Sequence, residues 1–362
     1  MDIALLHYMK WGNPKSNYSG EIMLFKTQIK SYLMKNDGES PMAFVMPLKL
    51  PKDMGNTIIR SFMVPFVAFL LFLGIWSSLA SQVITSLGEV PGPKQVWAQT
   101  INLYDEHMAE RVKEEKFYQR QEIRNAKKLE KNPDAKVKIR PYTGNPTFFD
   151  QILTSLYTVL TGFLFASLIA IPIGIVSGLS GTVHRAINPI IQIFKPVSPL
   201  AWLPIVTIIV SSVYVSDDPM FSKSFITSAI TVTLCCMWPT IINTALGVSS
   251  IDPDLINVSR VLRLNWFTKI YKIVLPSSVP MIFAGLRLSL GIGWMVLIAA
   301  EMLAQNPGLG KFVWDEFQNG SSNSLARIMV AVFAIGLIGF VLDRTMLYAQ
   351  RKVSWDRNAV LR

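Results

Sequence analysis

The sequence predicts an all-α polytopic membrane protein with six transmembrane helices. Of its 362 residues, 51% are apolar and 16% are charged, whereas ordinary soluble domains carry roughly 25% charged residues. Several apolar runs reach the about 20 residues that an α-helix needs to cross a hydrocarbon core of ~30 Å. Short Lys/Arg-rich segments separate some of these runs, which is typical of cytoplasmic loops. This composition excludes a disordered or nucleic-acid-binding tail protein.

The six predicted spans follow one another along most of the chain. They cover approximately Ile58–Ile84, Ile152–Ile175, Ile187–Val213, Phe225–Leu246, Met281–Leu303 and Ile328–Leu347. The third span contains Pro189, Pro196, Pro199 and Pro204, and each proline lacks the backbone N–H of a helix. Membranes tolerate such breaks where the freed backbone groups face protein or a cavity. We therefore expect the third span to be kinked and to border a path.

The formal net charge of +11 is best explained by basic loops on the cytoplasmic face, not by nucleic acid. The loop between the fourth and fifth spans carries Arg260, Arg263, Lys269 and Lys272. The tail 351–362 is also basic. Both segments are predicted to be cytoplasmic, and six spans then place the N-terminal segment 1–56 on the same side. This segment lacks the apolar core of a signal peptide, and Met42 or Met46 is an alternative start.

A long insertion, 85–148, separates the first span (57–84) from the remaining five in the core 149–350. Its twelve Lys/Arg against nine Asp/Glu do not change the predicted outward location, because long loops translocate largely regardless of charge. A helix is predicted that starts at Pro93 and stops at Asn132-Pro133. In its first half, apolar residues recur at helical spacing. They are Trp97, Ile101, Tyr104, Met108 and Val112. The helix is predicted to lie solvated against the membrane domain or to be a docking arm for an external partner.

The sequence carries no pattern of an enzyme or a metal site. Gly310-Lys311 lacks the earlier glycine of a phosphate-binding loop, so the chain is not expected to hydrolyse ATP. The three histidines are scattered, and Cys235-Cys236 lie together in an apolar run as small packing residues. We therefore predict no catalytic residue, no metal ligand and no directly bound cofactor.

The loop 249–280 is the most informative segment. The turn Ser250–Asp254 precedes an apolar and basic stretch that predicts one short helix, and a second is predicted over Trp266–Val274, ending at Leu275-Pro276. Two short amphipathic helices between membrane spans fit a docked soluble partner. They also fit a helix that binds lipid at the membrane surface.

This loop resembles the EAA loop of binding-protein-dependent ABC importer permeases. Asn257, Val258 and Ser259 stand at the Glu-Ala-Ala positions, Arg263 at the glycine position and Pro276 at the closing proline. Four segments are similar to the nitrate and bicarbonate branch of these permeases and occur in the same order. They are Pro196–Pro204, Met237–Thr244, Val261–Leu264 and Ala299–Leu303. The similarity covers about residues 150–350.

The resemblance implies the MetI-like permease fold in a bacterial inner membrane. It also implies a dimer of permease subunits, cytoplasmic ABC ATPase subunits that use the ATP, and a periplasmic substrate-binding protein. The residues expected at the ATPase are Asn257, Ser259, Arg260, Arg263, Leu264, Trp266 and Pro276. The implied substrate is a small oxyanion, nitrate first, then nitrite, bicarbonate or cyanate. A taurine or alkanesulfonate importer is the alternative within the same superfamily.

Four residues are candidates for the translocation path. Glu301 is an ionisable residue within a span, and Arg287 lies on nearly the same helical face, ~21 Å away at 1.5 Å per residue. Glu301 fits a structural ion pair as well, and Arg287 fits a side chain that snorkels to headgroups. Trp202 and Trp294 would narrow a path if they face the dimer axis, or else serve as packing aromatics.

Two other classes of protein remain as alternatives. An autonomous channel or secondary transporter would carry inverted repeats and paired midplane charges, and no internal repeat is found. A sensor or scaffold would have the insertion 85–148 as its working domain, folding and binding a ligand alone.

Overall fold

The computed structural model describes residues 53–80, 82–85, 88–132, 137, 139–215, 220–321 and 323–353. The expectations for segment 1–52, for the alternative starts Met42 and Met46, and for tail residues 354–362 lie outside these described residues.

The described fold is almost entirely helical. The long helices are α1 (Asp53–Ala80), α2 (Pro93–Lys131), α3 (Phe148–Leu179), α6 (Lys223–Ser249), α9 (Leu275–Ala304) and α11 (Ser324–Val353). The shorter ones are α4 (Gly181–Phe194), α5 (Pro199–Val213), α7 (Pro253–Val261), α8 (Trp266–Lys269), the π-turn Ile270–Val274 and α10 (Leu309–Asn319). Strands β1 (Ile84–Thr85) and β2 (Gly88–Glu89) form a small antiparallel hairpin before α2.

Within the described residues, five helices are long and apolar enough to cross a membrane. The bent pair α4 and α5 supplies a sixth span if it is counted as one. The prediction of an all-α protein with six spans is confirmed on that count. The first predicted span was wrong at its end: its helix stops at Ala80, and Ile84 begins strand β1. At most of their other ends the observed helices extend beyond the predicted spans, because residues that flank each apolar run continue the helix.

The predicted third span is broken, not merely kinked. It starts at Gly181 instead of Ile187, and its two helices meet at 99°. The break falls at Lys195–Ser198, where Pro196 supplies no helical donor. Ser198 then caps α5 through its hydroxyl, which accepts a hydrogen bond from Leu200 N at 3.3 Å. Pro189 and Pro204 lie inside α4 and α5 without ending them.

The second short helix of the loop also differs from its prediction. A helix from Trp266 was expected to end at Leu275-Pro276, but the chain passes from α8 through the π-turn directly into α9. Pro276 lies in the first turn of α9, where a missing N–H costs little. Helix α8 is therefore continuous with the membrane helix α9.

Helix α6 packs against both α3 and α9 through small residues. A Cβ atom at Gly174 of α3 would meet Thr244 of α6, and one at Gly162 would meet Val232. Between α6 and α9, the Thr240 hydroxyl bonds to Ser289 at 2.7 Å, and Ser289 donates to the carbonyl of Cys236 at 2.6 Å. Close contact of this kind holds helices together in lipid, where the hydrophobic effect gives them little mutual attraction.

Within the segment predicted to be an insertion, the structure has the 39-residue helix α2. Its buried face is Val96, Gln99 and Leu103, and polar contacts attach it to the bundle. His107 bonds to Thr147 at 2.7 Å, Arg111 to Asp150 at 2.8 Å, and Glu106 to Arg327 at 2.8 Å.

The apolar residues from Trp97 to Val112, whose spacing predicted this helix, are exposed, with Trp97 68% accessible. The polar residues His107 and Arg111 take the contact face through their bonds to the bundle. Helical periodicity located this helix without identifying which of its faces is buried.

Candidate functional site

The connection between α6 and α9 is built from two capped helices. Asp252 caps α7, because its carboxylate accepts a hydrogen bond from Asp254 N at 2.9 Å. Asn265 caps α8 in the same way, accepting from Thr268 N at 2.8 Å. These side chains satisfy backbone donors that have no partner in the first turn of a helix. The two caps fix where each short helix begins.

A tight turn at Arg263 separates the two helices. Arg263 has φ 47°, its N–H donates to Arg260 O at 3.0 Å, and Leu264 N donates to Ser259 O at 3.0 Å. This pair of bonds is a Schellman motif, in which the left-handed residue is usually glycine. Arg263 occupies the position at which the EAA pattern has glycine, so the backbone geometry is retained although the residue differs.

The outer side of α7 and α8 presents apolar and basic side chains. We call this the α7–α8 surface, and its exposed members are Val258, Arg260, Val261, Leu262, Arg263, Trp266, Phe267, Tyr271 and Lys272. Val261 is 82% exposed, Phe267 76% and Tyr271 73%. Large apolar groups at such exposure, interspersed with cations and gathered in one place, are typical of a surface that contacts a partner or lipid.

The predicted docking residues divide by exposure. Arg260, Arg263 and Trp266 belong to the α7–α8 surface, and Asn257 and Pro276 are exposed beside it. Leu264 is half-buried. Ser259 is buried and bonds through its hydroxyl to Ile256 O at 2.6 Å, so it holds α7 and presents no group outward.

Val261, Leu262, Phe267 and Tyr271 were absent from the predicted docking set although they are among the most exposed apolar residues of this connection. Val261 lies two residues from the buried Ser259, on the other side of α7. The exposure of Leu262, Phe267 and Tyr271 depends on how the turn at Arg263 orients the two short helices, which the helical period alone does not give.

Two of the predicted path residues form polar contacts inside the bundle. Trp294 is buried, and its Nε1 donates to Ile335 O at 2.9 Å. Arg287 pairs in a bidentate manner with Asp343 of α11, with Nη2 and Oδ2 2.9 Å apart. Both contacts join α9 to α11.

Glu301 is fully buried at the end of α9. Ser155 of α3 donates to its carboxylate at 2.8 and 2.9 Å, and Gly310 N of α10 donates at 3.0 Å. Leu309 N in turn donates to Ser155 Oγ at 2.9 Å. The carboxylate therefore ties three helices together, and no cation contacts it among the described residues.

Trp202 lies beside the break in the third span. Its ring is 5.6 Å from that of Phe194, which also stacks on Trp238 at 6.2 Å. Three aromatic rings therefore support the junction of α4 and α5.

Within the parts of the chain that the structure describes, no group of three or more His, Cys, Asp or Glu side chains is placed to hold a metal ion.

Known proteins resemble this chain in sequence. Residues 170–355 match the family described as the inner membrane component of binding-protein-dependent transport systems. The nitrate import permease protein NrtB of Synechococcus elongatus is 39% identical over 224 residues, 59% of this chain and 76% of that protein. NrtB of Leptolyngbya laminosa is 36% identical over 218 residues, 59% and 73% of the two chains.

The bicarbonate transport system permease protein CmpB of a Synechocystis strain is 38% identical over 207 residues, 57% of this chain and 69% of that protein. These similarities confirm the resemblance to the nitrate and bicarbonate branch inferred from the motifs. The chain is a multi-pass membrane protein that belongs to the family of inner-membrane components of binding-protein-dependent transport systems.

Proposed function

We propose that this chain forms the translocation path of an ATP-driven importer for a small oxyanion, nitrate first. Nitrite, bicarbonate and cyanate are the next candidates. The relatives named as nitrate import and bicarbonate transport permeases support this choice of substrate. The observation that carries the mechanism is the α7–α8 surface, which lies between two membrane helices that pack directly on each other.

In this proposal, separate ABC ATPase subunits bind the α7–α8 surface and hydrolyse the ATP, while this chain binds no cofactor. The exposed cations Arg260, Arg263 and Lys272 predict an acidic rim on the partner, and Trp266 and Phe267 predict an apolar pocket at its centre. Because the π-turn joins α8 to α9 without a break, movement of the surface would move α9. Closure of the ATPase would thereby open and close the path.

The proposed topology follows from the same surface. With the α7–α8 surface in the cytoplasm, both termini are cytoplasmic and the insertion 85–148 lies on the periplasmic side. A substrate-binding protein would deliver the anion there, and a second permease subunit, a copy of this chain in our proposal, would complete the path. The core 149–350 carries the coupling loop 249–280 and the five spans that follow the insertion.

Of the four path candidates, we propose that Trp202 borders the path, since it lies at the broken span. Trp294, Arg287 and Glu301 would act as positioning residues, because each is engaged with a group of another helix. Lipid binding by the α7–α8 surface is the competing explanation of its exposed groups.

The test is co-purification of the tagged chain with its ATPase after Phe267→Ala and Trp266→Ala. A matched control is Phe317→Ala on α10. Phe317 is also a highly exposed phenylalanine, with 59% of its surface accessible, but it is not part of the α7–α8 surface. Loss of a hot-spot aromatic costs roughly 2 kcal/mol or more of binding free energy, so the ATPase yield should fall at least tenfold in the first two variants only.

Transport in proteoliposomes completes the test. Nitrate uptake should require ATP and loaded binding protein. Uptake without ATP would overturn the importer in favour of a channel, and ATPase stimulation by taurine or alkanesulfonates alone would transfer the substrate to that branch. Unchanged co-purification in both aromatic variants would assign the surface to lipid.

A further inference from the structure

A cavity of about 550 Å³ lies between the C-terminal ends of α3 and α6 and one side of α4 along its length. Six of its lining residues carry polar side chains: Ser177, His184, Asn188, Gln192, Lys195 and Ser249. Each can donate a hydrogen bond, Lys195 adds a full positive charge, and no Asp or Glu lines the cavity. Apolar side chains of α6 form the opposite wall of the cavity.

Helix α4 aims its polar side at this cavity. His184, Asn188, Gln192 and Lys195 follow at steps of four, four and three residues, which places them on one helical face. The opposite face carries exposed Ile190 and Ile193. Polar and charged side chains are costly where they face lipid. A helix that only covered the bundle toward lipid would therefore not carry a row of polar residues that ends in a lysine.

The donors on this stripe are left available. Gln192 Nε2 donates to Asn188 Oδ1 at 3.4 Å, which uses the acceptor of Asn188 and leaves its NH₂ group to donate. His184 Nδ1 contacts Ser177 Oγ at 3.2 Å, which leaves Nε2 toward other partners. Among the described residues, Lys195 forms no ion pair.

We propose that this cavity is a binding site for a small oxyanion, with Lys195 supplying the charge and Asn188 and Gln192 supplying amide donors. It rests on the proposed function and names a place for its substrate within the permease itself. Charge-assisted hydrogen bonds to oxyanions are about twice as strong as neutral ones, and the side chains of Asn188, Gln192 and Lys195 that would donate them are exposed. The volume also admits water, which occupies about 30 Å³ per molecule in the liquid, so the anion can remain partly hydrated and leave.

The test is binding of ¹⁵N-nitrate to the purified transporter complex in phosphatidylcholine nanodiscs, followed by broadening of the nitrate NMR line. Lys195→Gln should reduce the nitrate-dependent broadening about tenfold, the loss expected for one hydrogen bond to a charged group. Lys195→Arg should retain most of it, and Asn188→Leu should weaken it severalfold. Arg185→Gln is the matched control, because Arg185 lies on the same helix without lining the cavity.

Two further arms keep the outcomes distinct. A phosphatidylglycerol headgroup presents the same oxyanion chemistry, so nanodiscs of that lipid should leave nitrate binding intact if the site serves free anions. Abolition of binding by that lipid would assign the cavity to a headgroup. ATP hydrolysis of each variant complex reports that it has folded and docked.

Equal broadening in wild type, Lys195→Gln and Asn188→Leu overturns the site while nitrate import by the wild type still stands. The proposed function fails separately, when the wild-type complex imports no nitrate at all.

Discussion

Arg287 of α9 and Asp343 of α11 form a bidentate ion pair, with Nη2–Oδ2 at 2.9 Å and a second bond from Nε to Oδ1. Both residues lie on helices long and apolar enough to span a membrane. The pair neutralises a cation that, alone, would attract an anion or a headgroup. Its geometry joins two helices and leaves no free charge on Arg287.

Breaking this pair from either side should destabilise the protein, whereas removing both members should largely restore stability. An unpaired charge within a span costs roughly 2.5–3.5 kcal/mol on insertion scales, so Arg287→Leu and Asp343→Leu should each lower the thermal unfolding midpoint in detergent. The double variant should recover most of the loss and retain nitrate uptake. A double variant that is stable but inactive would return Arg287 to the translocation path.

Gly310 in α10 lies against the end of α9. A Cβ atom at this position would overlap the carbonyl of Ile298 and approach Glu301, and a backbone atom cannot move aside as a flexible side chain can. Gly310→Ala should therefore cost about 1–3 kcal/mol, as overpacking does. Gly336→Ala in α11 is the control, since nothing lies within 4 Å of its Cβ position, and it should be neutral or gain up to about 1 kcal/mol. Equal thermal midpoints for the two variants would contradict the packing described.

The spans were predictable because their signal is local: about 20 apolar residues suffice to identify each one. The 99° break at Lys195–Ser198 was only partly predictable. Four prolines indicated an interruption, but which of them ends a helix depends on capping by Ser198 and on the rings of Phe194, Trp202 and Trp238 around the junction.

In the candidate site, too, some features could be predicted from the local sequence and others depend on the fold. The amphipathic pattern located the loop 249–280, yet it did not separate the buried Ser259 from the exposed Val261, which depends on how α7 packs. Glu301 looked like a path residue because it is charged. Its partners Ser155 and Gly310 lie 146 and nine residues away in sequence, and contacts at that range follow only from the fold.

The attachment of residue Tyr142 to α2 should depend on pH. Tyr142 donates to Glu110 at 2.6 Å, and this bond holds the pKa of Glu110 below its usual value and raises the pKa of Tyr142. Above the ordinary pKa of a glutamate, the ionised carboxylate of Glu110 stabilises the contact in full. This stabilisation is lost as the pH falls through the lowered pKa of Glu110. Below the ordinary pKa of a tyrosine, the protonated phenol of Tyr142 stabilises the contact in full. This stabilisation is lost as the pH rises through the raised pKa of Tyr142. The contact should therefore be complete between about pH 5 and pH 9.

Hydrogen exchange at the amide of Tyr142, which donates to Tyr118 Oη at 3.1 Å, would follow this attachment. Tyr142→Phe should remove the dependence on both sides. A difference spectrum at alkaline pH between wild type and this variant should show a phenol that ionises later than an ordinary tyrosine. Ionisation at the ordinary value would exclude the bond to Glu110.

Arg263→Gly should stabilise the protein and weaken its docking at once. Arg263 holds φ 47°, and the left-handed region costs a non-glycine residue roughly 1–2 kcal/mol, so glycine should raise the thermal unfolding midpoint by a few degrees. Loss of the exposed guanidinium should reduce ATPase co-purification. Arg263→Ala is the matched control, because it removes the charge and keeps a Cβ atom in the left-handed turn. It should dock as weakly as the glycine variant without gaining its stability. A lower midpoint for Arg263→Gly would mean that the arginine side chain, and not the Schellman bonds, holds the turn between α7 and α8.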